Sequence, residues 1–298
     1  MILSCGRRAF VFGLMGTLAG SAARAEDSAE ARIHRAGAKL AEIETGEACR
    51  LGVAVVDTGG GPSLLHRANE RFPMCSTFKW LAAAAVLARV EEGGEKLDRK
   101  IAYGRSDLLD YAPVTKRHVD EGGMTLGDLC AAAIDYSDNT AGNLILGVVG
   151  GPEGLTRYVR TLGDSLTRFD RTEPTLNTAI PGDPRDTSTP LAMADDVRRL
   201  LFGDALSQAS REQLKTWLMN DKVGDARLRS GLPPSWTIGD KTGSGDFGTA
   251  NVAAALWPPG RAPLAAAVFL TQSKQSMDAR NAVHKQVGAL IAETFAAA

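Results

Sequence analysis

Ser76-Thr77-Phe78-Lys79-Trp80-Leu81-Ala82-Ala83-Ala84-Ala85-Val86-Leu87 opens the first long helix that the sequence predicts. Phe78, Leu81, Ala82, Ala85 and Leu87 recur at helical spacing until Gly93-Gly94 stops the pattern. Upstream, Leu51 to Asp57 is rich in strand formers. Gly59-Gly60-Gly61-Pro62 turns it into a second short run, Ser63 to Arg67, which reads as a hairpin with a longer loop. Downstream, helical patterns cover Leu126–Ile134, Thr140–Val149, Gly154–Leu162, Leu191–Phe202 and Arg211–Asn220, with Pro190 after Thr189 as a helix-start signal. The character then flips back. Trp236–Lys241, Thr249–Trp257 and Leu264–Thr271 read as strands, and Asp278–Phe295 as a closing amphipathic helix. Strands at both ends around a helical middle predict an α+β fold. Its antiparallel sheet, shared by the two chain ends and flanked by terminal helices, belongs to a discontinuous α/β lobe of residues 26–67 and 221–298. That lobe encloses an all-helical lobe of residues 68–220. A small-molecule site is expected in the cleft between the lobes.

At 298 residues the chain can bury a sizeable core. Its 44% hydrophobic and 23% charged residues are ordinary for a soluble globular protein. A formal charge of −1 and the lack of a dense Lys/Arg run argue against a nucleic-acid partner. Residues 1–25 read as an export signal. Arg7-Arg8 precede a mildly apolar run from Ala9 to Ala22, and Ala23-Arg24-Ala25 has the small-x-small pattern of a cleavage site. The paired arginines resemble a twin-arginine signal, although a general secretion signal needs only some positive charge there. The run is too short to span a bilayer as a helix, so a periplasmic or secreted product without a membrane anchor is expected. Removing residues 1–25 deletes three arginines and no acid, which takes the formal charge from −1 to −4. Three cysteines then remain, Cys49, Cys75 and Cys130, which leaves at least one thiol free. No C-x-x-C or H-x-x-x-H spacing occurs, so neither a zinc site nor any other metal or cofactor is expected.

Three further motifs give Ser76-Thr77-Phe78-Lys79 its meaning: Ser137-Asp138-Asn139, Glu173-Pro174-Thr175-Leu176-Asn177 and Lys241-Thr242-Gly243. On a helix, Ser76 and Lys79 lie three residues apart on one face, within reach of each other. An adjacent amine is one way to activate a weak serine nucleophile. Alone this is a poor signal, since roughly one S-x-x-K is expected by chance in a chain of this length. Ser137-Asp138-Asn139 reads equally well as a cap for the helix near Thr140, and Lys241-Thr242-Gly243 as a strand end entering a turn. All three together, in this order, are the S-x-x-K, S-D-N and K-T-G elements of serine enzymes that open β-lactam rings. A carboxylate at Glu173 can act as general base on a water.

On these motifs the chain resembles the class A serine β-lactamases over nearly all of the sequence that follows the signal. The resemblance implies that Ser76 is the acylated nucleophile and Lys79 a proton acceptor for it. Ser137 would pass a proton to the departing lactam nitrogen, and Asn139 would bind the amide side chain of the substrate. Lys241 and Thr242 would hold the substrate carboxylate, with Lys241 also tuning Ser137, and Ser244 would add a hydroxyl contact. The backbone N–H groups of Ser76 and Ser244 would form the oxyanion hole, where one donor is worth about 100- to 1,000-fold in rate. Glu173 and Asn177 resemble the pair that positions the deacylating water, and Arg171 and Asp186 the ion pair that pins the neck of their loop. Ala250 occupies the position after K-T-G where many members carry an arginine, and Arg227 matches the alternative source of that guanidinium. Cys75 matches a cysteine that some carbapenem-hydrolysing members bridge across the site, but its partner position is Gly245. Tyr111 resembles the aromatic residue at the cleft mouth. The resemblance implies a monomer acting on a small-molecule β-lactam.

Two relatives of this chemistry would share three of the four motifs. A D-Ala-D-Ala peptidase would lack the Glu173–Asn177 pair, and a drug-sensing module would keep a stable acyl-serine and a membrane segment. Gly243-Ser244-Gly245-Asp246-Phe247-Gly248 fits G-x-G-x-x-G. The strand-like segment after it reaches only Pro258-Pro259, so a nucleotide-binding βαβ unit has no room.

Overall fold

The computed structural model describes residues 28–296. The expected signal, with Arg7-Arg8 and the cleavage site, lies outside the described residues. Chain order begins with helix α1 (Ala29–Gly46), strand β1 (Arg50–Asp57) and strand β2 (Leu64–His66). A helical region follows: α2 (Phe78–Glu91), α3 (Leu126–Asp135), α4 (Asn139–Val148), α5 (Gly151–Thr161), α6 (Pro190–Phe202) and α7 (Gln208–Met219). The chain closes with β3 (Thr237–Gly245), β4 (Thr249–Trp257), β5 (Leu264–Thr271) and α8 (Met277–Thr294). Residues from both ends pair in one antiparallel sheet of order β2-β1-β5-β4-β3, the α+β architecture that the alternation of patterns predicts.

The strand period of two sorts the sheet into two cores. Leu51, Val53, Val55, Val252, Ala254, Leu256, Ala266 and Val268 face the terminal helices, meeting Leu40 and Ile43 of α1 and Val283, Val287 and Ile291 of α8. The alternate residues Ala253, Ala255, Ala265, Ala267 and Phe269 face the helical region, where Met193, Ala194 and Val197 of α6 join the same core. Alanine dominates this second face, and its small side chains let α6 lie close to the sheet. At the centre of the helical region α2 is buried from Phe78 through Leu87. A helix that is apolar on every side belongs in an interior, and this burial carries Lys79 inside with it.

The helix starts follow their caps. Asp138 caps α4, its Oδ1 accepting the Ala141 N–H at 2.9 Å, so the helix begins one residue before the expected Thr140. Thr189 caps α6 ahead of Pro190, and Ser207 caps α7, which starts three residues earlier than its apolar pattern. The sequence reading places no bounds on the helix before β1; Ser28 caps it, accepting from Ala31. The largest difference is at β3. The strand does not end at Lys241 but runs on to Gly245, because Thr242, Gly243, Ser244 and Gly245 continue the register with Val252, Asn251, Ala250 and Thr249. Lys241-Thr242-Gly243 is therefore an edge strand of the cleft, not the entrance to a turn.

Asp138 does more than cap. Its Oδ2 accepts the N–H groups of Val114 and Thr115 at 2.9 Å each, all of them buried. Asp138→Ala is expected to lower stability by about 3 kcal/mol, combining a lost cap with stranded buried donors, as read from urea unfolding. A loss below about 1 kcal/mol would mean that this network is not holding the Ser137 turn.

Candidate active site

Four elements converge on Ser76. Residues 75–77 form a tight turn that leads into α2, so Ser76 sits at its N-terminal end with Lys79 one turn further. The Lys79 ammonium group lies 3.0 Å from Ser76 Oγ, 2.8 Å from the Ser137 carbonyl and 2.7 Å from Asn139 Oδ1. Ser76 Oγ in turn donates to Glu173 Oε1 at 2.7 Å, and Glu173 Oε1 is 3.0 Å from Lys79 Nζ. Serine, amine and carboxylate are mutually in contact and all buried. Burial pulls the Lys79 ammonium below its ordinary pKa, with the Glu173 charge opposing that shift, so it gives up a proton more easily than a surface lysine.

Glu173 is held from both sides. Asn177, on the next turn of its loop, donates to Glu173 Oε2 at 2.5 Å. From α4, Asn143 grips the backbone twice: its Nδ2 donates to the Glu173 carbonyl and its Oδ1 accepts the Glu173 N–H, both at 2.9 Å. Sequence reasoning does not single out Asn143. Its one signal is position, four residues after Asn139 and so on the same face of α4. The neck of the loop is closed by Arg171 Nε on Asp186 Oδ2 at 2.6 Å, while Asp186 Oδ1 accepts the N–H groups of Asp170 and Arg171. The Asp186 carbonyl accepts from Met74 N, two residues before the serine. The loop is thus tied to the segment it must address.

The opposite wall is β3. Gly243 is obligatory there: a Cβ would stand 2.7 Å from the Met74 carbonyl and 3.2 Å from the Ser76 N. This close approach brings the backbone beside Ser244 up to that of Ser76, the arrangement an oxyanion hole requires. Lys241 Nζ, fully buried, donates to Ser137 Oγ at 3.1 Å and to the Thr242 carbonyl at 2.8 Å. Burial lowers its pKa to about 7 against the opposing pull of Asp221. Ser137 itself adopts a positive φ of 57°, which turns its hydroxyl toward both lysines. Arg227, also buried, donates to the carbonyls of Gly243 and Asn251 at 2.8 Å each and to Ser244 Oγ at 2.6 Å. The guanidinium expected near Ala250 therefore reaches the cleft from Arg227, and desolvation draws its pKa down to about 10.

The cleft left between these walls holds about 300 Å³ and is lined by Ser76, Ser137, Asn139, Asn177, Thr242 and Ser244, with Arg227 at its inner end and the half-exposed Tyr111 at its mouth. Every site residue that the sequence indicates is brought together here or in the shell behind it. Cys75 is buried with a free thiol that burial holds well above its ordinary pKa. A Cβ at Gly245 would lie 2.6 Å from the Cys75 sulfur, so the two positions are adjacent and only the second cysteine is missing.

The comparisons with known proteins agree with this geometry. The beta-lactamase enzyme family matches residues 35–295. The chain is 50% identical to beta-lactamase CTX-M-8 of Citrobacter amalonaticus over 257 residues, 86% of this chain and 88% of that protein. It is 51% identical to beta-lactamase OXY-2 of Klebsiella oxytoca over 82% of this chain and 83% of the relative. Among solved structures, an ancestral class A beta-lactamase superposes with a TM-score of 0.86 at 58% identity, covering 87% of this chain and all of that one. The putative class A beta-lactamase PenP from Rhodopseudomonas palustris also gives 0.86, at 54% identity and 88% coverage of this chain. Likeness of this depth over nearly the whole described fold places the chain in the beta-lactamase enzyme family, among its class A serine members.

Proposed function

We propose that the residues around Ser76 carry out β-lactam hydrolysis in two steps, with the roles that follow. The chain is a serine β-lactamase that opens the lactam amide through an acyl-serine and so confers resistance. In the first step Ser76 Oγ bonds to the lactam carbonyl carbon and gives up its proton. Glu173 Oε1 and Lys79 Nζ are the acceptors within reach, at 2.7 and 3.0 Å. The developing oxyanion is received by the N–H groups of Ser76 and Ser244. The carbon–nitrogen bond then breaks, and Ser137 supplies the departing nitrogen with a proton, replenished from Lys79 or Lys241, both of which touch it. Thr242, Lys241, Arg227 and Ser244 hold the substrate carboxylate; Ser244 Oγ accepts from Arg227 and so keeps its own hydrogen for the substrate. Asn139 binds the amide side chain, and Tyr111 borders it.

In the second step a water attacks the ester. Its proton passes to Glu173 as its oxygen bonds to the acyl carbon. The ester C–Oγ bond breaks, and the proton held by Glu173 passes to Ser76 Oγ, with which it is in contact. The observation that carries this reading is the clamped Glu173: a carboxylate in contact with Ser76 Oγ, fixed by Asn177, Asn143 and the Arg171–Asp186 pair. A peptidase or drug sensor needs no such clamp, because it keeps its acyl group or passes it elsewhere. Cys75 supports the turn below Ser76 as a buried hydrophobe. The enzyme acts as a monomer in the periplasm or outside the cell, delivered there by residues 1–25. Among the described residues no helix is long and apolar enough to cross a membrane.

Glu173→Ala is expected to acylate at Ser76 with a penicillin and then release the product roughly 100- to 10,000-fold more slowly, the worth of a general base. Intact-mass spectrometry would show the adduct accumulating; prompt loss of the adduct would remove Glu173 from the second step. Asn143→Ala keeps every reacting group and loosens only the backbone of Glu173. Deacylation should slow about 10- to 100-fold, because small misplacement of a catalytic group is costly, while acylation in single-turnover experiments changes little. Equal slowing of both steps would contradict a role confined to Glu173.

A further inference from the structure

Behind the loop that carries Glu173 lie two buried acids that the reaction does not use. Asp164 follows α5 and opens the loop, its Oδ1 accepting the N–H groups of Leu166 at 2.7 Å and Thr167 at 3.0 Å. Asp196 lies on α6, beyond the far end of the same loop, and is wholly buried. Asp164 Oδ2 and both carboxyl oxygens of Asp196 have no hydrogen-bond donor within reach, although all three are sealed from solvent. Both carboxyl-bearing residues line one cavity of about 140 Å³, bordered also by Asn69, Thr189 and Arg199, and the two groups interact across it.

Two carboxylates in contact cannot both ionise in such a place, and buried polar oxygens left without partners are rare in folded proteins. One proton between them removes both difficulties. The surroundings decide which group holds it. Asp164 Oδ1 already accepts two backbone N–H bonds, whereas Asp196 accepts none and is the group free to act as donor. The neighbours of Asp196 push the same way. Asp195, which precedes it on α6, adds negative charge beside it, while the neutral Tyr158 hydroxyl from α5, with Glu91 and Glu92 at the end of α2 beyond it, forms no hydrogen bond to it. Two cations lie close by: Arg199, one turn on, and Arg160, which donates to the Asp164 backbone carbonyl at 2.5 Å; neither forms an ion pair with either carboxyl group among the described residues.

We propose that Asp196 stands as a neutral carboxylic acid donating its hydrogen to Asp164 Oδ2, and that this shared proton makes Asp196 a positioning residue for the loop that carries Glu173. The bond joins α6 to the entrance of the loop. From there the order continues through Thr167 Oγ1 and Ser188 Oγ at 2.6 Å, the Arg168 N–H on the Thr187 carbonyl, and the Asp186 clamp on Asp170 and Arg171. Asp196 touches no substrate; it sets the frame on which Glu173 is hung.

The structural part does not depend on the role of Glu173 and is tested apart from it. In infrared difference spectra at neutral pH, the wild type should show the carbonyl stretch of a buried neutral acid that is missing in Asp196→Asn and shifted in Asp164→Asn, where the acceptor of its hydrogen is replaced. The amide of Asp196→Asn donates to Asp164 at any pH. Folded wild type keeps a proton that the unfolded chain releases above about pH 4. Wild-type stability therefore falls with rising pH by up to tenfold in the folding constant per unit, until Asp196 ionises in the folded state. The stability advantage of Asp196→Asn should widen over that range and then level off. No acid band together with a pH-independent gap would overturn the proposal. So would wild-type melting that rises with added calcium or potassium but is insensitive to them in Asp196→Asn, since a cation would then bridge the acids. The catalytic consequence rests on the Glu173 reading. Asp196→Leu should slow deacylation about tenfold with acylation little changed, and Asp196→Asn should restore it. Normal deacylation in a folded Asp196→Leu protein would leave the shared proton a structural feature only and refute its positioning role.

Discussion

The contact among Ser76 Oγ, Lys79 Nζ and Glu173 Oε1 is the constraint around which the molecule is organised. A lysine and a glutamate buried side by side are expensive to desolvate, and removing either partner strands the other. Such a pair persists only where the surrounding structure determines it. Here α2 carries the lysine into the interior because the rest of its first turns are apolar on every side. The glutamate arrives on a loop fixed at its neck by Arg171 and Asp186 and at its tip by Asn143 and Asn177. The serine lies between them at the end of a helix whose backbone N–H groups face the cleft.

Electrostatics on the β3 side repeat the theme with a second buried lysine. Lys241 is held near Ser137 and stabilised by two buried acids, Asp221 and its own strand neighbour Asp240; burial drives the pKa of both upward, and repulsion from Asp221 adds to that of Asp240, which reaches about 7. Arg229 ion-pairs with Asp240 at 2.6 Å and completes that layer. The positive groups of the cleft, Lys241 and Arg227, are therefore preorganised by buried partners and would need little rearrangement to take the substrate carboxylate proposed for them. Gly243 matters for a different reason. It lets the edge strand pass so close to Met74 and Ser76 that the two backbone segments proposed to form the oxyanion hole meet from distant parts of the chain.

Much of this was legible in the residues, and what was not has a physical explanation. Ser76 and Lys79 are three apart on a helix, and Asp138 announces the start of α4, so local geometry places them. The contacts that make the site span 97 residues from Ser76 to Glu173 and 104 from Ser137 to Lys241. Periodicity cannot supply such pairings; the resemblance of the motifs to a known family did. Asn143 stayed hidden because an amide on a helix face looks like any solvated residue until its partner loop is present. The continuation of β3 through Gly245 was obscured by two glycines that normally mark turns, but here answer to a close backbone approach. Arg227 was legible only as a match to an alternative position, and its bond to Ser244 shows how that position reaches the cleft.

The central claim is that the site releases its acyl group as well as forming it. The most direct measurement is the number of penicillin molecules opened per enzyme molecule, followed by absorbance with the drug in large excess over purified protein. The structure predicts continued turnover, many products for each serine. A single stoichiometric burst followed by silence, with the adduct stable on Ser76, would contradict it and assign the protein to the targets or sensors of the drug.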